Sequence, residues 1–157
     1  MRKTLTLLLL LSAPLATPVL AAPLSCPDLS AAVQVATCPS DAELKYTYNG
    51  YCSDNARLYD NDGEVCTSFE AYLKRKNNAL WESADGAFSG YLTCNQPAAT
   101  LRSATPVSMA VHRKGKLTMV ECEYSDGSRL THRTKVQCKV EQADCTAAGG
   151  CTTTCAD

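Results

Sequence analysis

Cysteine content places the strongest constraint on the fold of this chain. Its 157 residues include ten cysteines, of which Cys26 is the first. An even number of cysteines in an exported chain predicts a framework of disulfides. Because the chain has only two Phe and one Trp, we expect these bridges to compensate for a core with few large side chains. The predicted disulfide cysteines, whose pairing the spacing leaves open, are Cys26, Cys38, Cys52, Cys66, Cys94, Cys122, Cys138, Cys145, Cys151 and Cys155.

The N-terminal segment, residues 1–21, has the three parts of a secretory signal peptide. Arg2 and Lys3 give a positive start, an apolar run begins at Leu7, and small residues precede a cleavage site that we place after Ala21. The alternatives are a membrane anchor and a lipoprotein modified at Cys26. Prolines interrupt the apolar stretch, whereas a spanning helix needs about 20 apolar residues. We therefore predict a periplasmic or secreted protein with no membrane span after signal removal, from either a bacterial or a eukaryotic source.

The exported part, residues 22–157, carries a small acidic excess. Loss of Arg2 and Lys3 with the signal would leave 13 basic and 16 acidic residues. Nucleic-acid binding needs a clear basic excess, so the composition argues against nucleic acid as a partner. The length is that of one domain, and the oligomeric state stays open.

Residues 22–84 show mainly helical patterns. Apolar residues recur at helical spacing from Cys26 to Ala36. Ser40 precedes Glu43 by three residues, which is the spacing of a capping box. The strongest prediction is a helix from a second capping box at Thr67–Glu70 to Trp81, with an apolar side that packs on a sheet.

Residues 85–140 show the patterns of an antiparallel sheet, and residues 141–157 form a Cys-rich tail without periodicity. A three-residue loop, Ser125–Gly127, with Gly127 in the left-handed conformation, keeps the two sheet faces consistent. A two-residue turn at Lys114-Gly115 would place Val111 opposite Thr118. The predicted strands are Phe88–Cys94, Pro106–Arg113, Lys116–Tyr124 and Arg129–Val140, and the loop predicts the pairs Cys122–Leu130, Val120–His132 and Glu123–Arg129.

These patterns together predict a single disulfide-stabilised α+β domain over residues 22–157. In that fold, N-terminal helices pack on a C-terminal antiparallel β-meander of about three to five strands. We expect Cys26 to Cys66 to serve the helical half, and Cys94 to Cys155 to hold the meander and its tail.

No residue pattern in the sequence predicts a catalytic centre, a metal site or a cofactor. There is no Gly-x-Ser-x-Gly elbow, and cysteines in an oxidising compartment offer no free thiolate nucleophile. Asp60–Glu64 fails the EF-hand pattern and is better interpreted as a polar turn. A copper site remains an alternative hypothesis, with Cys151, Cys155, Met109, His112 and Met119 as its soft ligands.

The remaining candidate is a surface on the outer side of the predicted meander. Arg129, Arg133, Lys135 and Lys139 would form a basic stripe, with two glutamates alongside. Cross-strand ion pairs on a solvated face would explain it, and so would a docking surface for a protein partner or an anionic ligand. The tentative binding residues are Arg129, Arg133, Lys135, Glu121, Glu123 and His112.

The function that this surface suggests is that of an exported binding module, which inhibits or neutralises a partner such as a hydrolase or a toxin. One alternative hypothesis is a small secreted hydrolase that uses Glu121 or Glu123. Another is a periplasmic copper or redox protein. The sequence leaves open whether the chain is an enzyme, and it favours a protein that is not.

Overall fold

The computed structural model describes residues 23–57 and 63–156, in which nine short strands and four helices form. The predicted signal segment lies outside these residues. The strands are β1 (Pro23–Ser25), β2 (Val33–Gln34), β3 (Asn78–Glu82), β4 (Ser89–Thr93), β5 (Pro106–Lys114), β6 (Leu117–Tyr124), β7 (Arg129–Thr134), β8 (Gln137–Gln142) and β9 (Thr152–Ala156). The helices are α1 (Asp41–Cys52), α2 (Gly63–Cys66), α3 (Phe69–Lys76) and α4 (Ala98–Arg102), with one 3₁₀ turn at Leu29–Ala31.

The strands form two antiparallel sheets. The large sheet has six strands in the order β2-β3-β4-β7-β6-β5, and the small sheet has three in the order β1-β9-β8. A segment that follows β8 joins the edge of the large sheet, where the backbone N–H of Met109 donates to Ala143 and that of Cys145 donates to Val107. The chain after β7 therefore supplies two of the three strands of the small sheet, beside β1, and also covers part of the edge strand β5.

The predicted α+β fold, with N-terminal helices packed on a meander of about three to five strands, is wrong. The described residues are mostly β, with nine strands in two sheets and four short helices. Residues 22–84 contribute β1, β2 and β3, and the Cys-rich tail contributes β9. Short apolar segments fit helical and strand periods alike, so periodicity alone misassigned them.

The segment Cys26–Ala36 illustrates the error. Its helical part is a single 3₁₀ turn, with Asp28 accepting from the Ser30 N–H at 2.8 Å, and β2 follows at Val33. The segment is tied to the large sheet at its start, because Cys26 is bonded to Cys122 and the Tyr124 hydroxyl donates to the Pro27 carbonyl at 2.8 Å. Leu29 and Ala32 reach the core without a continued helix, whereas Val33 and Val35 are exposed.

The pairing of β6 with β7 agrees with the sequence prediction. Gly127 has a φ of 81°, and the loop brings Cys122 opposite Leu130, Val120 opposite His132 and Glu123 opposite Arg129. The β5–β6 turn is Gly115-Lys116, so Val111 lies opposite Val120 instead of the expected Thr118. That shift of two residues leaves each side chain on its predicted face. The predicted strand Arg129–Val140 is two strands, β7 and β8, in different sheets.

The main core lies on one side of the large sheet, which we call the inner face. Trp81, Leu92, Leu130 and Cys122 point to this side, where they are at most 2 % exposed. The 3₁₀ turn and α4 add Leu29 and Leu101 to the same cluster, and the tail adds Cys151. The opposite side, the outer face, contributes none of the buried core residues among those described.

The helices α1, α2 and α3 form a unit of their own between β2 and β3, which we call the helical unit. Its buried side chains are Leu44, Cys66 and Tyr72, and the main core cluster does not include them. Tyr72 packs against Tyr48, with ring centroids 5.3 Å apart. The sequence predicted that α3 and Trp81 pack together on the sheet. This prediction is wrong, because Tyr72 of α3 packs within the helical unit and Trp81 belongs to β3.

The N-cap residue of α1 was predicted correctly, whereas the N-cap of α3 lies one residue after the predicted Thr67. Ser40 and Glu43 form the reciprocal capping box at the start of α1. At α3 the capping residue is Ser68, which accepts from the Ala71 N–H at 3.1 Å. Thr67 instead donates to the Glu64 carbonyl. A run of two adjacent hydroxyl residues offered two equivalent capping positions, which the sequence could not separate.

All ten cysteines are paired, as the even count predicts, and the pairs are nested. Cys52–Cys66 closes a loop inside Cys38–Cys94, which itself lies inside Cys26–Cys122. Cys145–Cys151 lies inside Cys138–Cys155 in the same way. The expectation that Cys26 to Cys66 serve one half of the chain and Cys94 to Cys155 the other is wrong, because the first two cysteines both bond across the halves.

The described helices are all too short or too polar to cross a membrane.

Candidate functional site

The six predicted binding residues all lie on or beside the outer face of the large sheet, at two different ends. Glu123 and Arg129 lie opposite each other on β6 and β7, and Glu121 lies opposite Thr131. His112 and Arg133 flank Met119 in a row across β5, β6 and β7. Lys135 lies in the connection between β7 and β8. The pleat of the three strands places all the predicted binding residues except Lys135 on one side of the sheet.

Arg129 holds both glutamates. Its Nη2 lies 3.1 Å from Oε1 of Glu123, and its Nη1 lies 3.6 Å from Oε1 of Glu121. The second carboxylate oxygen of Glu123 accepts from the Ser108 hydroxyl at 3.3 Å. The arrangement is a compact cross-strand ion-pair network that fixes the side chains of β5, β6 and β7 relative to one another.

The network keeps Glu123 ionised. The hydrogen bond from Arg129, the charge of that guanidinium and the hydrogen bond from Ser108 lower the pKa of the Glu123 carboxyl below its ordinary value. The hydrogen bond to Glu123 and the charges of Glu121 and Glu123 raise the pKa of Arg129. A general acid needs a carboxyl whose pKa is raised by burial or by a like charge. This geometry therefore gives no support to the hydrolase hypothesis at Glu123.

The basic stripe that the sequence suggested is not continuous. Arg129 is paired with two acids, and Lys139 lies in β8 of the small sheet, where its Nζ is 3.7 Å from Glu141. Arg133 donates to the Ser89 hydroxyl at 3.4 Å. The two cations of the predicted stripe that form no ion pair with a described residue, Arg133 and Lys135, lie toward the β5–β6 turn, away from Arg129.

Sequence reasoning missed Tyr91 on the same face. This side chain is 72 % exposed, and it points outward because Gly90 and Leu92 on either side of it face inward. It borders a groove of about 370 Å³, which we call the Tyr91 groove. The groove is lined by Tyr91, Leu92, Thr93, Gln96, Asp126, Gly127, Ser128 and Arg129. Assigning faces to the predicted strand Phe88–Cys94 would have exposed this tyrosine.

Gly90 brings β4 close enough to β7 to build this groove. A Cβ atom at residue 90 would lie 2.2 Å from the Arg129 carbonyl oxygen and 2.9 Å from Leu130 Cδ2. Only glycine allows that approach without moving the backbone. The position of Arg129 beside Tyr91 therefore depends on a residue that has no side chain.

The two histidines lie on opposite faces, as predicted. His112 is exposed on β5. His132 is half-buried, with Nδ1 2.8 Å from the Ala87 carbonyl oxygen and its ring 5.6 Å from that of Phe88. A hydrogen-bonded ring inside the fold has a structural role here, and no described contact joins the two imidazoles.

The residues predicted as copper ligands do not form a cluster of available ligands. Cys151 and Cys155 belong to two different disulfides, and the chain has no free cysteine. Met109 is buried on the inner face, whereas His112 and Met119 lie on the outer face. The sulfurs of Cys26, Cys145 and Cys151 lie within 4.8 Å of one another, but they belong to bridges and offer no thiolate to a metal. Asp60 to Asp62 lie outside the described residues.

A second groove, of about 770 Å³, lies on the helical unit. The guanidinium of Arg57 and the ammonium of Lys76 lie over the Tyr51 ring, 4.1 Å and 4.4 Å from its centroid. These cation–π contacts engage that ring within the unit itself. Tyr46 is the prominent exposed side chain of this groove, with 82 % of its surface accessible.

Comparison with protein-family models, with curated proteins and with solved structures finds no match to this chain.

Proposed function

We propose that this chain is an exported binding protein that holds a partner protein against the outer face of its large sheet, at the Tyr91 groove. The observation that carries the proposal is the pairing of a 72 % exposed tyrosine with an ion-paired arginine around a groove of about 370 Å³. Tyrosine and arginine are the side chains that most often dominate protein interfaces. Inhibition or neutralisation of that partner is the role that we favour.

The five disulfides support an extracellular or otherwise oxidising location. They also favour binding over chemistry, because a rigid scaffold presents its surface without an ordering cost. The Arg129 network adds to this rigidity, since it holds Glu121 and Glu123 on neighbouring strands. A partner would therefore meet a surface that is already fixed.

The test is capture of a partner by the oxidised protein from the extracellular or periplasmic fraction of its source, followed by measurement of the dissociation constant. Tyr91→Ala should weaken that complex by about 30-fold or more, as truncation of a central aromatic side chain does. Tyr46→Ala is the matched control, because Tyr46 is also a highly exposed tyrosine but lies on the helical unit. A complex that survives Tyr91→Ala and is lost with Tyr46→Ala would place the interface on the helical unit and overturn the proposal.

A further inference from the structure

Six basic side chains collect at one end of the large sheet, where β5 turns into β6 and β7 ends. The turn Gly115-Lys116 joins the two strands, and Thr118 pairs with both Arg113 and Thr134. Neighbouring strands lie about 5 Å apart, so the groups of this end lie close together. We call this set the basic end, and it consists of His112, Arg113, Lys114, Lys116, Arg133 and Lys135, all of them exposed.

No described acidic side chain forms an ion pair with the basic end. Residues 106–120 and 129–140 contain seven Lys or Arg of the chain's 15 and none of its 16 acidic residues. Of those seven, Arg129 and Lys139 are the ones paired with an acid. The other five make no ion pair with a described residue. Because the chain as a whole has a net charge of −1, its charge is strongly uneven.

The geometry favours a flat partner over a linear one. His112 and Arg133 project from the outer face, Arg113 belongs to the opposite face, and Lys116 lies in the turn. These groups thus surround the end of the sheet, where a plane can meet all of them. The Tyr91 groove and the groove on the helical unit are lined by other residues.

The neighbouring side chains favour lipid headgroups over nucleic acid. Residues 112–118 and 131–138 contain two histidines but no Phe, Tyr or Trp, whereas single-stranded nucleic acid is bound largely by stacking of its bases on large aromatic rings. Leu117 follows Lys116 at the turn and is 37 % exposed. An apolar side chain among cations can enter the boundary between headgroups and acyl chains.

We propose that the basic end docks the protein on a membrane surface rich in anionic phospholipid headgroups. Lys and Arg side chains near such a surface contribute additively to binding, and clusters of four to eight of them are typical of anionic lipid recognition. The docked protein would keep the Tyr91 groove free, because the two sites lie at different ends of the outer face. This inference is therefore independent of the proposed partner protein.

Co-sedimentation of the purified, oxidised protein with lipid vesicles tests the proposal. We expect binding at low salt to vesicles that contain about 30 % phosphatidylglycerol, weak binding to pure phosphatidylcholine, and release at about 0.5 M NaCl, where charges are screened beyond about 4 Å. The double variant K114Q/K116Q should lower the partition coefficient by about tenfold or more.

The matched control is K45Q/K74Q, which removes two exposed lysines from the helical unit and should leave vesicle binding unchanged. Circular dichroism of both variants verifies that they fold. The proposal is overturned if phosphatidylglycerol does not increase binding, or if the two double variants lose binding equally. It is also overturned if heparin or an oligonucleotide is bound more tightly than vesicles of equal charge concentration, which would assign the basic end to a soluble polyanion.

Discussion

Arg129 connects the candidate interface to the sheet beneath it. Its guanidinium is paired with Glu121 and Glu123, and its backbone carbonyl lies where Gly90 brings β4 close to β7. The same residue thus fixes charges on the outer face and defines one wall of the Tyr91 groove. A change at Gly90 should therefore alter both stability and binding, although this residue has no side chain that could touch a partner.

Substitution of Gly90 by alanine should destabilise the protein severely. The new Cβ would meet the Arg129 carbonyl oxygen at 2.2 Å, and because the obstacle is backbone, β4 and β7 must separate. We expect a loss of about 3 kcal/mol or more in the free energy of unfolding, at the upper end of overpacking costs. Urea denaturation followed by circular dichroism measures it.

Gly50→Ala is the control for this prediction. Gly50 lies within α1, and a Cβ there would meet nothing within 4 Å. Alanine should raise stability by about 0.5–1 kcal/mol, since glycine is a poor helix former. Equal effects of the two substitutions would show that the close approach of β4 and β7 is not important for stability.

The conformations and contacts of individual residues could be predicted from the sequence only where a local rule applies. The Ser40–Glu43 capping box and the left-handed Gly127 follow from short-range chemistry, and both are present. Tyr91 was missed because the groove that it lines with Arg129 forms only through the pairing of β4 with β7, and Arg129 is 38 positions away in the chain. Contacts of that kind are set by topology, which spacing does not reveal.

At the scale of elements, the helical unit and the large sheet are separate packing units. Tyr72 is 4 % exposed within a cluster of aromatic rings, and the main core on the inner face excludes it. The prediction that α3 packs on the sheet failed because its apolar stripe finds partners in α1, at Tyr48 and Tyr51. The amphipathic pattern of a helix predicts that one side is buried, but it does not predict which element packs against that side.

Tyr72→Ala should therefore unfold the helical unit and leave the sheets intact. Removal of a buried aromatic ring costs about 3–5 kcal/mol, and a small unit with few buried residues cannot absorb that loss. Native-state hydrogen exchange should show lost protection in α1 and α3, with protection in β6 and β7 retained.

Trp81→Ala should affect the sheet directly, because Trp81 lies in the main core and is only 2 % exposed. We expect it to lower protection in β6 and β7. If Tyr72→Ala lowered protection equally in all strands, the two packing units would be coupled and this description would be wrong.

At the scale of the whole molecule, the disulfides replace extensive packing between distant segments. Cys26–Cys122 joins residues separated by 96 positions, and Cys38–Cys94 joins residues separated by 56. Cys52–Cys66 spans 14 positions within the helical unit. A longer loop restricts the unfolded chain more strongly, so the outer bridges should contribute more to global stability.

Replacement of both Cys26 and Cys122 by serine should cost about 4–5 kcal/mol, against about 3 kcal/mol for Cys52 and Cys66. The first loss should appear as a lower midpoint of global unfolding in urea. The second should be confined to the helical unit, visible as faster exchange in α1. Equal shifts of the global midpoint for both variants would contradict the separation of the two units.

The sequence predicted the presence of a disulfide framework, the β6–β7 pairing and the opposite faces of the two histidines. It did not predict the second sheet, because β1 and β9 come from the two ends of the described chain and each is short. The Thr-rich segment Thr152–Ala156 gains its strand conformation from pairing with β1 and β8. The binding residues predicted from the sequence lie on or beside the face that carries the Tyr91 groove, but Tyr91 was not among them.

The nested order of the disulfides also has a consequence for how the protein matures. No two bridges interlock, so oxidation can proceed from the innermost loop outward: once Cys52–Cys66 has closed, Cys38 and Cys94 are the unpaired cysteines that flank this loop along the chain, followed by Cys26 and Cys122. No correct bridge has to be reopened to form the next. A bond between Cys26 and Cys38, which lie close together in the sequence, would have to be reopened before Cys26–Cys122 and Cys38–Cys94 could form.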